Sequence, residues 1–137
     1  MVGEASAVVG RVEAEAEVPA VARAYFDALN AEDWEALATV WAHDAELRAV
    51  GSRPRRGRDE VMAYFRPLFG PWARHLDQPT RWIVAGDTVV AEVRFTGTTH
   101  EGKELSFDAV DVFDLTGGAI ARLTTWYDLS WVRRQLS

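Results

Sequence analysis

The run from Phe107 to Trp131, FDAVDVFDLTGGAIARLTTWYDLSW, constrains the fold more than any other stretch of the chain. Two apolar, β-branched segments flank Thr116-Gly117-Gly118, the pattern of a β-hairpin closed by a glycine turn. In the first segment, period-2 alternation puts Phe107, Ala109, Asp111 and Phe113 on one face and Asp108, Val110 and Val112 on the other. Asp111 is the anomaly. A carboxylate on a face otherwise made of Phe and Ala must be paired, protonated or at work, because burying it alone and ionised costs too much. Two readings stay open: an acid that binds or acts on a substrate, or a structural carboxyl hydrogen-bonded to a neighbour.

The rest of the chain supplies helices first and strands second. After Pro19, the spacing of Val21, Tyr25, Ala28 and Leu29 predicts a helix ending near Asn30. Asp33 can cap a second helix with Trp34, Leu37, Ala38 and Trp41 on one face. A short strand at Ala45 to Val50 and a loop at Gly51 to Gly57 lead to a third helix, Gly57 to Phe69, closed by Gly70-Pro71. From His75 onward the period becomes 2. Strands are expected at Arg81 to Ala85, Thr88 to Thr99, Glu104 to Leu115 and Ala119 to Leu129. That segregation implies an α+β fold: one curved, mainly antiparallel (mixed) sheet wrapped as a cone around three N-terminal helices. Residues 1–17, rich in Ala, Val and Glu with no apolar stripe, are expected to be a flexible N-terminal arm, and 18–137 a single domain.

Composition narrows the function. A chain of 137 residues that is 48% hydrophobic can furnish one core. A net charge of -6 argues against nucleic-acid or anionic-membrane partners, which need a basic footprint. No apolar run is long enough to span a bilayer, and no cationic start precedes an apolar core, so a cytoplasmic location is expected. Cysteine is absent, which removes disulfides and thiolate chemistry. His and carboxylate residues are not spaced as metal ligands, so no metal and no cofactor are expected.

The runs YFDALNAEDWEALATVWAHDAEL, RGRDEVMAYF and VDVFDLTGGAIARLTTWYDL together resemble the superfamily of ketosteroid isomerases, limonene epoxide hydrolases and SnoaL-like polyketide cyclases, the nuclear-transport-factor-2-like fold. The resemblance covers about Val18 to Leu136, a domain of ordinary size. It implies that Tyr25 and Asp111 match the oxyanion hole of the isomerases, whose Asp is kept protonated by an apolar site. The isomerase base matches Ala49, and the Asp-Arg-Asp set of the epoxide hydrolases matches Phe95, Val93 and Thr125, so both of those chemistries lose their key groups here. What remains resembles the SnoaL-like cyclases, which act on large, mostly apolar polyketides.

The expected function is therefore cyclisation, or a related isomerisation, of an apolar polyketide-type substrate in an enclosed pocket. Asp111, Tyr25 and His75 are the candidate catalytic residues, His75 because its side chain can titrate near neutral pH. Trp41, Phe65 and Tyr127 match lining positions in relatives. Val93, Phe95, Phe107, Ala109, Leu123 and Thr125 complete the expected substrate wall. The alternative is a non-catalytic ligand-binding or dimerisation module. A deep cavity reaching Asp111 favours catalysis or binding; one filled with Trp and Phe side chains favours the module. The basic run Arg53 to Arg58 can steer an anionic or carrier-bound substrate, or be a solvated loop. Val110, Val112, Thr124 and Trp126 face outward with no further helix expected to cover them, so a two-fold homodimer through the sheets is expected.

Overall fold

The computed structural model describes residues 11–12 and 17–137. In chain order the elements are β1 (Arg11–Val12), α1 (Ala20–Ala31), α2 (Trp34–Ala38), β2 (Trp41–Ala49), β3 (Arg55–Arg56), α3 (Arg58–Phe65), β4 (Trp72–Ala85), β5 (Thr88–Thr99), β6 (Glu104–Thr116), β7 (Ala119–Tyr127) and α4 (Leu129–Leu136). One sheet takes the order β1-β4-β5-β6-β7-β2-β3. β4 to β7 form an antiparallel meander, and β2 joins β7 in parallel, which makes the sheet mixed. Two residues of the expected arm, Arg11 and Val12, pair with Val84 and Ile83 on β4; residues 1–10 and 13–16 of that arm lie outside the described residues.

The core lies on the concave face. α1 buries Ala22, Tyr25, Phe26, Ala28 and Leu29 against the sheet. Tyr25 meets Phe113 edge to face at 5.2 Å, and Phe26 meets Trp82 at 5.7 Å. α2 is a single capped turn: Asp33 accepts from the Ala36 N–H, and the helix stops at Ala38. Trp41, expected on that helix, instead opens β2 opposite Ile120. A spacing of seven from Trp34 fits one helix face, and exposed His43 and Asp44 hide the alternation of β2 behind an irregularity. α3 ends at Phe65, before Pro67, rather than at Phe69.

Two corrections bear on function. β4 begins at Trp72, nine residues before the expected Arg81. Its inward positions there are His75, Asp77 and Pro79, while Leu76 points out and is 44% exposed, so the polarity is the reverse of a core strand. Pro79 sits where the register with β5 shifts, the place a strand tolerates proline. At the other end, β7 stops at Tyr127, and Asp128 caps a fourth helix by accepting from the Trp131 N–H, where the strand pattern had continued to Leu129. The cone therefore has a C-terminal helix over its open end.

Gly51, just after β2, is what lets that helix sit down. Its φ is +74°, and a Cβ there would overlap the Leu129 side chain of α4. Gly51→Ala is expected to cost about 1–3 kcal/mol, from left-handed backbone strain and overpacking together. Urea denaturation beside the parent protein measures it; unchanged stability would mean that α4 is not seated through this contact.

Candidate functional site

The cone encloses a cavity of ≈ 200 Å³ that reaches Tyr25 and Asp111. Strand parity delivers Asp111 there: it is 6% exposed, flanked across the sheet by Ala91 of β5 and Thr125 of β7. Burial, and then the nearby charge of Asp77, push its carboxyl up to about 8. Tyr25 comes from the buried face of α1, 2% exposed, and its ring meets Trp41, Phe65 and Phe113 edge to face. Desolvation, then the field of Asp111, hold its hydroxyl well above the usual tyrosine range. At neutral pH the two groups are thus a neutral acid and a neutral phenol, both able to donate a hydrogen bond into an apolar space.

Of the expected substrate wall, Phe65, Phe95, Phe107, Ala109, Thr125 and Tyr127 line this cavity. Phe95, Phe107 and Tyr127 form a row of rings, with centroids 4.7 and 5.2 Å apart. Trp41, Val93 and Leu123 do not reach it. They are buried in the core behind it, Trp41 stacked on Phe65 at 5.6 Å, because they pack one layer away from the open space. His75 also lies outside the cavity surface. Its ring stacks on Phe69 at 3.6 Å, and its Nε2–H donates to Glu32 Oε2 at 2.9 Å.

The sequence reading missed four contributors. Asp77 faces the same cavity, and its Oδ2 is buried without a hydrogen-bond partner. Burial raises its carboxyl to about 6, with His75 opposing the shift. Tyr64 of α3 adds a third phenol, raised by burial and by Tyr127. Trp72 lies at the entrance and covers Gly97, where a Cβ would come within 2.6 Å of its ring. α4 contributes Leu129, Val132, Leu136 and the cation of Arg133. The alternating His75, Asp77, Pro79 could have announced the missing half of β4, had its inward polarity been read as a site rather than as a loop.

Three arginines of the basic run have partners in the fold, while the Arg53 and Arg56 side chains remain exposed. Arg56 pairs with Glu46 at 3.0 Å, Arg58 donates to the Trp41 carbonyl at 2.9 Å, and Arg55 lies 5.5 Å over the Tyr64 ring. His43 is exposed, and His100 donates to the Gly70 carbonyl at 2.9 Å. Among the described residues, no three His, Asp or Glu side chains converge as a metal ion requires, and no helix is long and apolar enough to cross a membrane.

Comparison with known proteins identifies the family and the fold. The family model of the SnoaL-like domain matches residues 22–123. No curated protein matches the sequence significantly. Among solved structures, a protein proposed to be a SnoaL-like polyketide cyclase from Jannaschia sp. CCS1 superposes with a TM-score of 0.81 at 20% identity, covering 93% of this chain and 98% of that one. An NTF2-like protein of unknown function from Burkholderia pseudomallei gives 0.79 at 18% identity, over 86% of this chain and 95% of that one. An LEH-like epoxide hydrolase from M. tuberculosis gives 0.72 at 19% identity, over 86% and 87%. At these identities the likeness establishes the nuclear-transport-factor-2-like fold.

The raised carboxyls make stability depend on pH in a stated direction. Asp111 binds its proton more tightly folded, at about 8, than in the unfolded chain, near the ordinary aspartate value of 3.8. Its contribution is fully present below about pH 4 and is lost as pH rises through about 8. Asp77 adds the same sign over a narrower window, up to about 6. Asp111→Asn is therefore expected to be more stable than the parent at pH 8, by on the order of a few kcal/mol, and to lose that advantage near pH 4. Urea denaturation of both proteins at the two pH values checks it; a pH-independent difference would contradict a buried, protonated Asp111.

Proposed function

Because the chain belongs to the SnoaL-like domain family, we propose that it is a small-molecule enzyme that closes or isomerises a ring in an apolar, polyketide-type substrate. The observation that carries the proposal is a carboxylic acid, Asp111, kept neutral on the wall of an apolar cavity that Tyr25 also lines, the two close enough for the field of Asp111 to act on the Tyr25 hydroxyl. Two neutral donors converging there suit a carbonyl oxygen that gains negative charge in the transition state, whereas an ionised carboxylate would repel it. The aromatic row of Phe95, Phe107 and Tyr127 offers flat surfaces against which a planar substrate can be held in a reactive conformation.

Cavity size limits the substrate. Pockets for drug-sized ligands run about 300–1,000 Å³, and an apolar cavity of about 150 Å³ takes benzene. At ≈ 200 Å³ the cavity suits a molecule of one or two rings. The isomerase base position is Ala49, a core residue 5% exposed. Steroid isomerisation is accordingly outside the proposal. The open cavity also weighs against a purely structural module, whose cone would be filled.

We further propose that the convex sheet face forms a two-fold homodimer. α4 covers the mouth of the cone, leaving Val110 and Trp126 paired across β6 and β7 and exposed on the other side, Trp126 by 56%.

Fluorescence titration with 2-naphthol, a planar two-ring phenol whose oxygen mimics an enolate, tests the site. Binding is expected in the parent protein, and Asp111→Leu and Tyr25→Phe should weaken it by about 10-fold to 100-fold, the worth of one hydrogen bond to a charged oxygen. Affinity indifferent to both changes would overturn the donor assignment. For assembly, light scattering should give a dimer that Trp126→Glu converts to monomer; a monomeric parent at micromolar concentration would overturn the interface.

A further inference from the structure

We infer that Asp77 is the proton acceptor of this site, so that the cavity enolises a small carbonyl compound: Asp77 takes a proton from the carbon beside the carbonyl while Asp111 and Tyr25 hold the oxygen. The inference rests on the donor assignment above and extends it, since two donors alone hold a carbonyl but cannot remove a proton.

Geometry supports it in three ways. Asp77 lines the same cavity as Asp111 and Tyr25 but comes from another wall, β4 instead of β6 and α1. Asn30, in the last turn of α1, fixes its backbone on both sides: the Asp77 N–H donates to Asn30 Oδ1 at 2.8 Å, and Asn30 Nδ2 donates to the Asp77 carbonyl at 2.9 Å. Asp77 Oδ2 is buried, with no partner among the described residues, an unsatisfied acceptor on a residue that lines the cavity. An acceptor held rigid and unsatisfied near two donors is the constellation that proton abstraction requires.

The electrostatics run the same way. Around Asp77 are His75 on its own strand, Asp111 on β6, Tyr25 on α1, Tyr64 on α3, Tyr127 on β7 and Arg133 of α4 on the cavity side, with Arg23 and Asp27 of α1 on the other side. Asp77 ionises first, near 6, and its charge helps hold Asp111 protonated to about 8. Between those values the pair carries one base and one acid, a division that two coupled carboxyls adopt as a unit. The base that the fold's isomerases place at Ala49 is thus replaced from a different strand.

The step balances without a co-reactant. The Asp77 carboxylate takes the proton, the C–H electron pair becomes the C=C bond, and the carbonyl electrons move to oxygen, where Asp111 and Tyr25 donate. Where a double bond is conjugated with the enolate, return of the proton from Asp77 to its far carbon gives an isomer. Attack of the enolate carbon on a second carbonyl gives a ring, the new alkoxide taking the proton that Asp77 removed, so that both carboxyls end as they began.

Deuterium exchange at C1 of 2-tetralone in D₂O, followed by NMR with the full chain, tests the inference. The parent protein is expected to accelerate exchange over buffer, with a rate that rises near pH 6 and falls near pH 8. Asp77→Asn should lower the rate by about 100-fold or more while binding 2-naphthol no more weakly than the parent. Absence of catalysed exchange in the parent, or of the rising limb between pH 5 and 7, would overturn the inference even if the variant failed to fold. Exchange that survives in Asp77→Asn but is lost in Asp111→Leu and Tyr25→Phe would overturn it and leave the donor assignment standing. Exchange indifferent to Asp111 and Tyr25 would remove the donor assignment itself.

Discussion

Everything in this molecule turns on the cost of keeping one carboxyl, Asp111, in an apolar interior. Desolvation of an ionised carboxylate is far more expensive than any nearby contact returns, so the group stays protonated near neutral pH. A protonated acid can donate where a carboxylate only accepts. The rest of the fold maintains that condition: the meander curls so that β4, β6 and β7 face inward together, α1 presses Tyr25 into the same space, and α4 lies across the opening.

The second carboxyl follows from the first. Asp77 sits on a strand that bends at Pro79, where the β4–β5 register shifts, and Asn30 ties its backbone to the last turn of α1. Two acids around one small cavity cannot both ionise at comparable pH in so low a dielectric. Their separation, near 6 and near 8, comes from burial at both sites, with His75 lowering Asp77 and the charge of Asp77 raising Asp111 further. His75, buried beside Phe69 and hydrogen-bonded to the half-exposed Glu32, lowers Asp77 from behind and contributes no surface to the cavity.

What the sequence revealed, and what it hid, follows one physical rule. The order of helices before strands, the turns at Gly86, Gly102 and Gly117-Gly118, and the burial of Asp111 were legible because apolar residues alternate cleanly along β5 and β6. Trp72 to Thr80 was opaque because a strand lining a polar site shows inverted polarity, His75, Asp77 and Pro79 in and Leu76 out. The fourth helix was opaque because Leu129 extends the alternation of β7, and the capping role of Asp128 becomes visible only with the Trp131 N–H beside it. Trp41, Val93 and Leu123 have the right character for a pocket wall but sit one layer too deep, a distinction that periodicity cannot make.

The most direct test of this account is the titration of Asp111 itself. With ¹³C-labelled aspartate, the carboxyl resonance lost in Asp111→Asn identifies the group, and its chemical shift followed across pH reports its protonation. The account predicts a midpoint near 8, with a smaller upfield or downfield step near 6 as Asp77 ionises beside it. A single midpoint near 4, the ordinary value for a solvated aspartate, would contradict it, because the cavity would then hold a carboxylate that repels the charge it is meant to stabilise.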